Sequence, residues 1–588
     1  MRWFQPLTIA LMFVTWSSAR GEDVFLDLDF ESETAGKAPA NWRSFTAGTK
    51  PDVTVFDFGG GKALRGVRSD SSKLVALARD FDSPQQRVLI EFDLAISESA
   101  GRAFHLWTYE PGGRDASQLN LATHRSQLRH YGEGSWTDVG IRLTESEDAE
   151  NPVWHRIRAL VDAEANSVNL WFAESGSQIA PDAIPTAKIA YRSRLPIGGI
   201  GFVSGSRIAE DAWYLIDNLT VRGGADLPEP TRAPALPEAF PLWTGGDPPS
   251  DPEQIPFATG LENRTLHRAE EGKFQFLHGA AILPYKGVFY ANWANSPVNE
   301  NGPHETLQGR RSYDGGKTWP KLEVIGPGFD GPDRHSHGVL FEHQGELWTI
   351  CARFGVGDTG RVFRGLKGEA FVLDEAEDRW ESRGIVMDNC WPYDPPVKLE
   401  NGSSITGGQD RDGLPVVAIS QGDDFTKWDS VLIPYHPKLG PSFAETTVWA
   451  EGNRVLAVIR GGSGVAWVSQ SEDGGRTWSI AGPSNYPMPR AKAFLGKLST
   501  GQLFIVSNLR DRDTLVVSAG KPGELSVSRM WRIRHGKSEA PRFAGFAKSK
   551  QWSYPYACEH EGQLYVVYSI GKEDCGLSVI PVKSLAVE

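Results

Sequence analysis

Hydrophobic and polar residues alternate along most of this chain. Alternating runs recur at 88–94, 103–109, 154–161, 167–172 and 213–221. That period of two puts successive side chains on opposite faces of a strand. A second series follows at 345–352, 455–459, 503–507 and 564–569, with turns between and no helical period of useful length. The patterning predicts an all-β protein of many short strands. Between the two series lie Pro228, Pro230, Pro234, Pro237, Pro241, Pro248 and Pro249, a composition that predicts an extended, stiff linker. The expected organisation is a leader at 1–19, a β-domain at 23–224, a linker at 225–255 and a second β-domain at 256–588.

Composition agrees with this division. A chain of 588 residues is long enough for more than one full core. With 20 tryptophans, 63 glycines and 38 prolines it suits short strands joined by tight turns. A formal net charge of −13 offers phosphates no broad basic surface, so nucleic acid is not an expected partner. Arg2, the apolar stretch 7–16 and the small residues Ser17-Ser18-Ala19 have the order of a secretory leader, and the stretch is too short to span a bilayer. The expected location is therefore secreted or periplasmic, with no membrane span. Export would permit disulfides, and of the four cysteines Cys558 and Cys575 flank an expected hairpin and are candidates to pair. No CxxC and no His/Cys cluster with zinc spacing occurs, so neither metal nor cofactor is expected.

Two octapeptides sharpen the picture. Residues 312–319 (Ser312, Asp314, Gly316, Thr318, Trp319) and 471–478 (Ser471, Asp473, Gly475, Thr477, Trp478) both read S-x-D-x-G-x-T-W. Each predicts a hairpin tip: the Asp carboxylate accepts backbone N–H groups of its own turn, Gly supplies positive φ, and Trp packs beneath neighbouring strands. The role is structural. The copies start 159 residues apart, about three blades at roughly 50 residues per four-stranded blade. Weaker relatives, 374–380 and 420–428, lie between them. The pattern resembles the Asp box of sialidase-like β-propellers, and the resemblance implies a six-bladed β-propeller over 256–588. The stretches 154–162 and 216–221 resemble strands of concanavalin-like (laminin-G and lectin type) jelly-roll sandwiches, which implies a β-sandwich over 23–224 that either binds glycan or serves as a scaffold.

The resemblance to bacterial exo-sialidases extends to candidate site residues. The run from Glu445-Thr446-Thr447-Val448 to Arg460 is similar to the blade that carries a catalytic glutamate and one arginine of a carboxylate-binding triad. This implies Glu445 and Arg460 in those roles. Residues 507–518 resemble the next blade and imply Arg512, with Arg510 as the rival. Ser553-Tyr554-Pro555 resembles the last blade and implies Tyr554 as nucleophile, with Tyr556 as the alternate. The chemistry is coherent: a Tyr hydroxyl, with a reference pKa of about 10, needs a base such as Glu to attack, and guanidinium groups grip a carboxylate in two places. Two positions depart from the family. His278 stands where the first arginine is expected, and no Asp occurs in 299–310, just before the first octapeptide, so Glu305, with Glu300 behind it, takes the acid/base place.

One cluster is independent of that resemblance. Arg334, His335 and His337 precede one strand and Arg353 ends the next. Two histidines two apart on a strand face the same side, so His335 and His337 are expected to line a floor with His278, suited to proton transfer near neutral pH. Trp391, Tyr393 and Lys492 are further candidate sugar contacts. The leading expectation is an exo-glycosidase acting on terminal acidic sugars of a glycan. The alternatives are a propeller lyase using His and Tyr on a uronic-acid polysaccharide, and a non-catalytic carbohydrate-binding protein.

Overall fold

A computed structural model describes residues 23–587 apart from 45–52, 68–74, 98–103, 113–117, 125, 133–134, 174–178, 181–182, 184, 192, 194, 205–211, 225–226, 228–235, 357–362, 437–438 and 440–442. The expected leader at 1–19 lies outside the described residues. No described helix is long and apolar enough to cross a membrane. The chain divides into two compact units, Met1–Pro234 and Ala235–Glu588.

The first unit holds two antiparallel sheets, of eight and seven strands. Strands Arg87–Ile96 and Trp213–Gly223 are neighbours in one sheet, and Phe104–Tyr109 and Ile197–Ser204 are neighbours in the other. Their alternate residues meet between the sheets: Phe92 packs on Phe104 at 5.9 Å and Phe104 on Tyr214 at 5.4 Å. This is a β-sandwich whose core is built from the apolar half of each alternating run.

The second unit is a β-propeller of six sheets. Blades one to five run in chain order over 276–326, 333–388, 391–432, 446–487 and 494–534, each with its first strand innermost. Blade six takes its three inner strands from Trp552–His560, Gln563–Ile570 and Asp574–Pro581. Its outermost strand is Glu262–His267, which precedes blade one and pairs with Asp574–Pro581 in the register Arg264 to Leu577. The ring is thus sealed between its two ends. In blade three the inner strand is broken into Trp391–Pro392 and Val397–Lys398, with Pro395 and Pro396 between the pieces, because proline cannot donate to a ladder.

Both octapeptides cap the turn before the outer strand, in blades one and four, three blades apart. In the first, Lys317 and Thr318 donate their backbone N–H to Asp314 Oδ1 at 3.0 and 2.9 Å, and Thr318 Oγ1 donates to Asp314 Oδ2 at 2.7 Å. Arg476, Thr477 and Asp473 repeat the pattern at 3.0, 2.9 and 2.6 Å. Of the weaker relatives, Trp428 donates Nε1–H to Phe425 O at 2.8 Å.

The proline-rich stretch is packed from Phe240 onward. Phe240, Trp243 and Phe257 bridge to Ser484, Val527 and Arg532 on the outer strands or strand flanks of blades four and five. Trp243 exchanges bonds with Asn485 at 2.8 and 2.7 Å. The disulfide considered for Cys558 and Cys575 does not form: all four cysteines are free. Cys558 lies opposite Tyr565 and Cys575 opposite Ser569, so the two thiols sit at different levels of the sheet and cannot meet.

Candidate active site

Strand order decides which residues share an end of the propeller. Each inner strand starts at one end, and the antiparallel course returns the second-to-third-strand loop to that same end. Glu445 and Lys492 precede inner strands, His278, His337 and Tyr554 lie near the starts of theirs, and Glu300, Glu305, Arg460, Arg512 and Lys572 lie in or beside those loops.

Three of the inner strands carry a bulge at this end. Register shifts fall between His278 and Ala281, between His335 and Gly338, and between Ser553 and Tyr556. A bulge inserts one unpaired residue and re-aims its neighbours. Tyr554, at φ +59° in the third, turns inward. Gly279, at φ +60°, lies against His337, where an added Cβ would come within 2.1 Å of the ring. Only glycine admits that packing.

The centre is a contact of three groups. Tyr554 donates its hydroxyl to Glu445 Oε1. Arg460 Nη1 donates to Glu445 Oε2 at 2.7 Å and approaches the Tyr554 oxygen at 3.4 Å. Burial, then the Glu445 carboxylate, pushes the Tyr554 hydroxyl far above its ordinary value, against the pull of Arg460 and Arg512. The tyrosine is therefore held neutral with a base in contact. Burial opposes the Arg460 charge, yet Glu445 and Tyr554 more than restore it.

Two more cations flank the ring. Arg512 lies 5.7 Å from the Tyr554 centroid, fixed by Gln551 Oε1 at 2.9 Å and Arg490 O at 3.0 Å. Its rival Arg510 is exposed in a positive-φ turn. Lys572 Nζ lies 5.3 Å from the same centroid and donates to Glu300 Oε1, which also faces His278 Nδ1 at 3.2 Å. Burial lowers the Lys572 ammonium pKa, and Glu300 partly restores it.

His278 stands 3.9 Å from Tyr554 and 4.8 Å from His337, ring centroid to centroid. Burial holds both well below the ordinary histidine value; Lys572, Arg512 and Arg460 add to this for His278, and His278, Lys492 and Lys572 for His337. Both are neutral, and neither Nε2 has a hydrogen-bond partner. Glu305 is buried and its Oε2 is unpartnered. Burial pushes its carboxyl up to about 8, with Glu300 adding and Ser336, Arg334 and the Asn301 backbone subtracting. It is a neutral acid at neutral pH. Arg334 donates to Asn301 O at 2.7 Å, beside that group.

Three expected residues lie elsewhere. His335 is not on the floor with His278 and His337, because the bulge breaks the two-residue alternation. Its Nδ1 faces Pro327 O at 2.8 Å and its Nε2 faces Glu369 at 3.0 Å. Arg353 belongs to the same blade-two network, bonded to Asp333 at 3.0 Å and Glu369 at 3.3 Å. Burial opposes ionisation of Glu369, but His335, Ser382 and Arg353 hold it down at about 2. Tyr556 donates to Leu340 O at 2.9 Å and packs on Phe494 as a core residue. Tyr393 and Trp391 do join the cluster, tilted against His337 at 5.4 and 4.7 Å between ring centroids. Lys492 Nζ donates to Pro555 O at 3.0 Å, and the neighbouring Asp394 is raised to about 7, mainly by burial. Lys572 occupies a short turn that carries no sequence motif, and only its burial marks it.

Residues 375–566 match the BNR repeat-like domain. That span contains Glu445, Arg460, Arg512 and Tyr554. No curated protein matches the chain. Among solved structures, a protein of unknown function from Dyadobacter fermentans is similar at 16% identity and TM-score 0.43, over 55% of this chain and 99% of its own. The NanB sialidase of Streptococcus pneumoniae is similar at 10% identity and TM-score 0.41, over 85% and 96%. A leech intramolecular trans-sialidase is similar at 11% identity and TM-score 0.41, over 91% and 99%.

Proposed function

We propose that this protein is a retaining exo-glycosidase of the sialidase type, acting on a terminal anionic sugar. The observation that carries the reading is the Tyr554–Glu445–Arg460 contact. A neutral tyrosine on a carboxylate base is a nucleophile that an anionic sugar does not repel. In the first step the Tyr554 hydroxyl proton passes to Glu445 and the phenolic oxygen bonds the anomeric carbon. The glycosidic bond breaks, and Glu305 protonates the leaving oxygen. In the second step Glu305 takes a proton from water, water attacks the same carbon, and Tyr554 leaves with its proton returned by Glu445. Arg460, Arg512 and Lys572 surround the ring and would receive the sugar's carboxylate. Lys572 supplies the charge that neutral His278 lacks.

A second reading is favoured by one contact: His278, neutral and with a free Nε2, lies against Tyr554. That pair also fits a lyase, in which a base removes the proton α to a uronate carboxylate and the 4-oxygen departs. Products separate the readings. Incubation with 3′-sialyllactose and with uronic-acid polysaccharides should release free acidic sugar with no new ultraviolet absorbance. An unsaturated product with new ultraviolet absorbance would replace the first reading with the second. Binding without either product would leave a carbohydrate-binding protein.

A further inference from the structure

The connection between Arg534 and Trp552 is the longest that joins two blades. Strand order puts it at the end that carries Tyr554, and it is tied down along its length. Arg542 Nε and the Phe543 N–H donate to Glu573 at 2.8 and 3.1 Å. Lys548, its side chain covered, donates to Glu573 at 3.2 Å and to Gln275 O at 2.7 Å. The Phe546 N–H donates to Asn299 Oδ1 at 2.8 Å, and Ala547 is held at φ +67°. Gly545 lies so close to Val298 O that a Cβ would stand 2.5 Å away. Yet at the apex Phe546 is 64% exposed, beside Val298 at 46%. A segment pinned this firmly has every means to bury one phenyl ring, and it presents the ring to solvent instead.

We propose that Phe546, with Val298, is the platform for the sugar on the leaving side of the scissile bond, and that this sugar is an uncharged pyranose. The inference rests on the glycosidase reading. Asn299, which pins Phe546, adjoins Glu300 in the loop that also brings Glu305. The leaving oxygen must face the acid that protonates it, so the departing sugar passes over the lip of this loop. The platform offers apolar carbon only, which suits the C–H face of a neutral ring. Because the loop is ordered before binding, contact with it costs little conformational entropy.

The test compares two glycosides of one acidic sugar, with lactose or with methanol as the leaving group. Phe546→Ala should lower kcat/KM about tenfold on the lactoside and less than about twofold on the methyl glycoside, the scale of one lost aromatic contact. Phe546→Trp should retain the lactoside preference. Equal losses on both substrates, or none on either, would overturn the proposal. If the wild-type protein cleaves neither, the glycosidase reading fails, and saturation-transfer NMR with lactose alone decides the platform. Contact seen in the wild type and absent in Phe546→Ala sustains it, and no contact in the wild type removes it. Concentration-dependent dimers that Phe546→Ala dissolves would assign the ring to a second copy of the chain and overturn the inference.

Discussion

At the scale of single residues the centre of the site is an unusual charge arrangement. Two carboxylates, Glu445 and Glu300, face Arg460, Arg512 and Lys572 around a neutral tyrosine. Tyr554→Phe removes one oxygen and leaves buried Glu445 Oε1 without its donor, which should cost about 1–3 kcal/mol of folding stability. Its kcat/KM should fall by about 10³-fold or more, roughly 4 kcal/mol of transition-state stabilisation. A variant that retains a tenth of wild-type activity would exclude Tyr554 as nucleophile. Glu305 supplies a pH test. Its folded-state value is raised to about 8, so the acid form persists through neutrality and is lost as pH rises through that value. Activity should therefore decline above about pH 8, and Glu305→Gln should remove that limb of the profile along with most of the rate. For stability the sign is the same: the folded state holds a proton that the unfolded chain releases at a lower pH, so stability falls as pH rises towards 8. An unchanged alkaline limb in Glu305→Gln would assign the titration to another group.

At the scale of elements the local motifs were legible and the irregular ones were not. The two octapeptides predict their turns because every bond in them is made within eight residues. Asp473 shows what they contribute: bonds from Thr477 and Ser471 lower its carboxyl to about 2. This stabilisation is complete above the unfolded value near 4 and is lost as pH falls through 2. Asp473→Asn should cost about 1–2 kcal/mol in urea unfolding at pH 7, comparable to a lost helix cap, and no difference from wild type would refute the staple role. The bulges had no such signature. Strict alternation puts His335 on the same side as His337, and one inserted residue turns His335 away, towards Glu369. Glu445, Arg460, Arg512 and Tyr554 sit in neighbourhoods recognisable in the sequence, and the structure brings them around one ring. Lys572 and Phe546 have no such neighbourhood, because a turn residue's burial, or a loop's anchoring, depends on partners hundreds of positions away.

At the scale of the whole molecule the sealed ring governs everything else. Leu266 on the closing strand is buried in the core shared with blade six. Leu266→Asp should cost about 3–5 kcal/mol, as for an unpaired charge placed in a core. It should also speed hydrogen exchange in Asp574–Pro581, and exchange as slow as in the wild type would show that the seam is dispensable. The seam also sets an order in time. A chain emerging from the ribosome completes blades one to five before Asp574–Pro581 exists, and Glu262–His267 must wait for it as an unpaired strand. Tyr554 and Lys572 belong to that last sheet, so a nascent chain carries Glu445 and Arg460 without the side chains that gather around them in the folded ring. The proposed site is thus incomplete in the nascent chain and is assembled only with the sheet that joins the first propeller strand to the last.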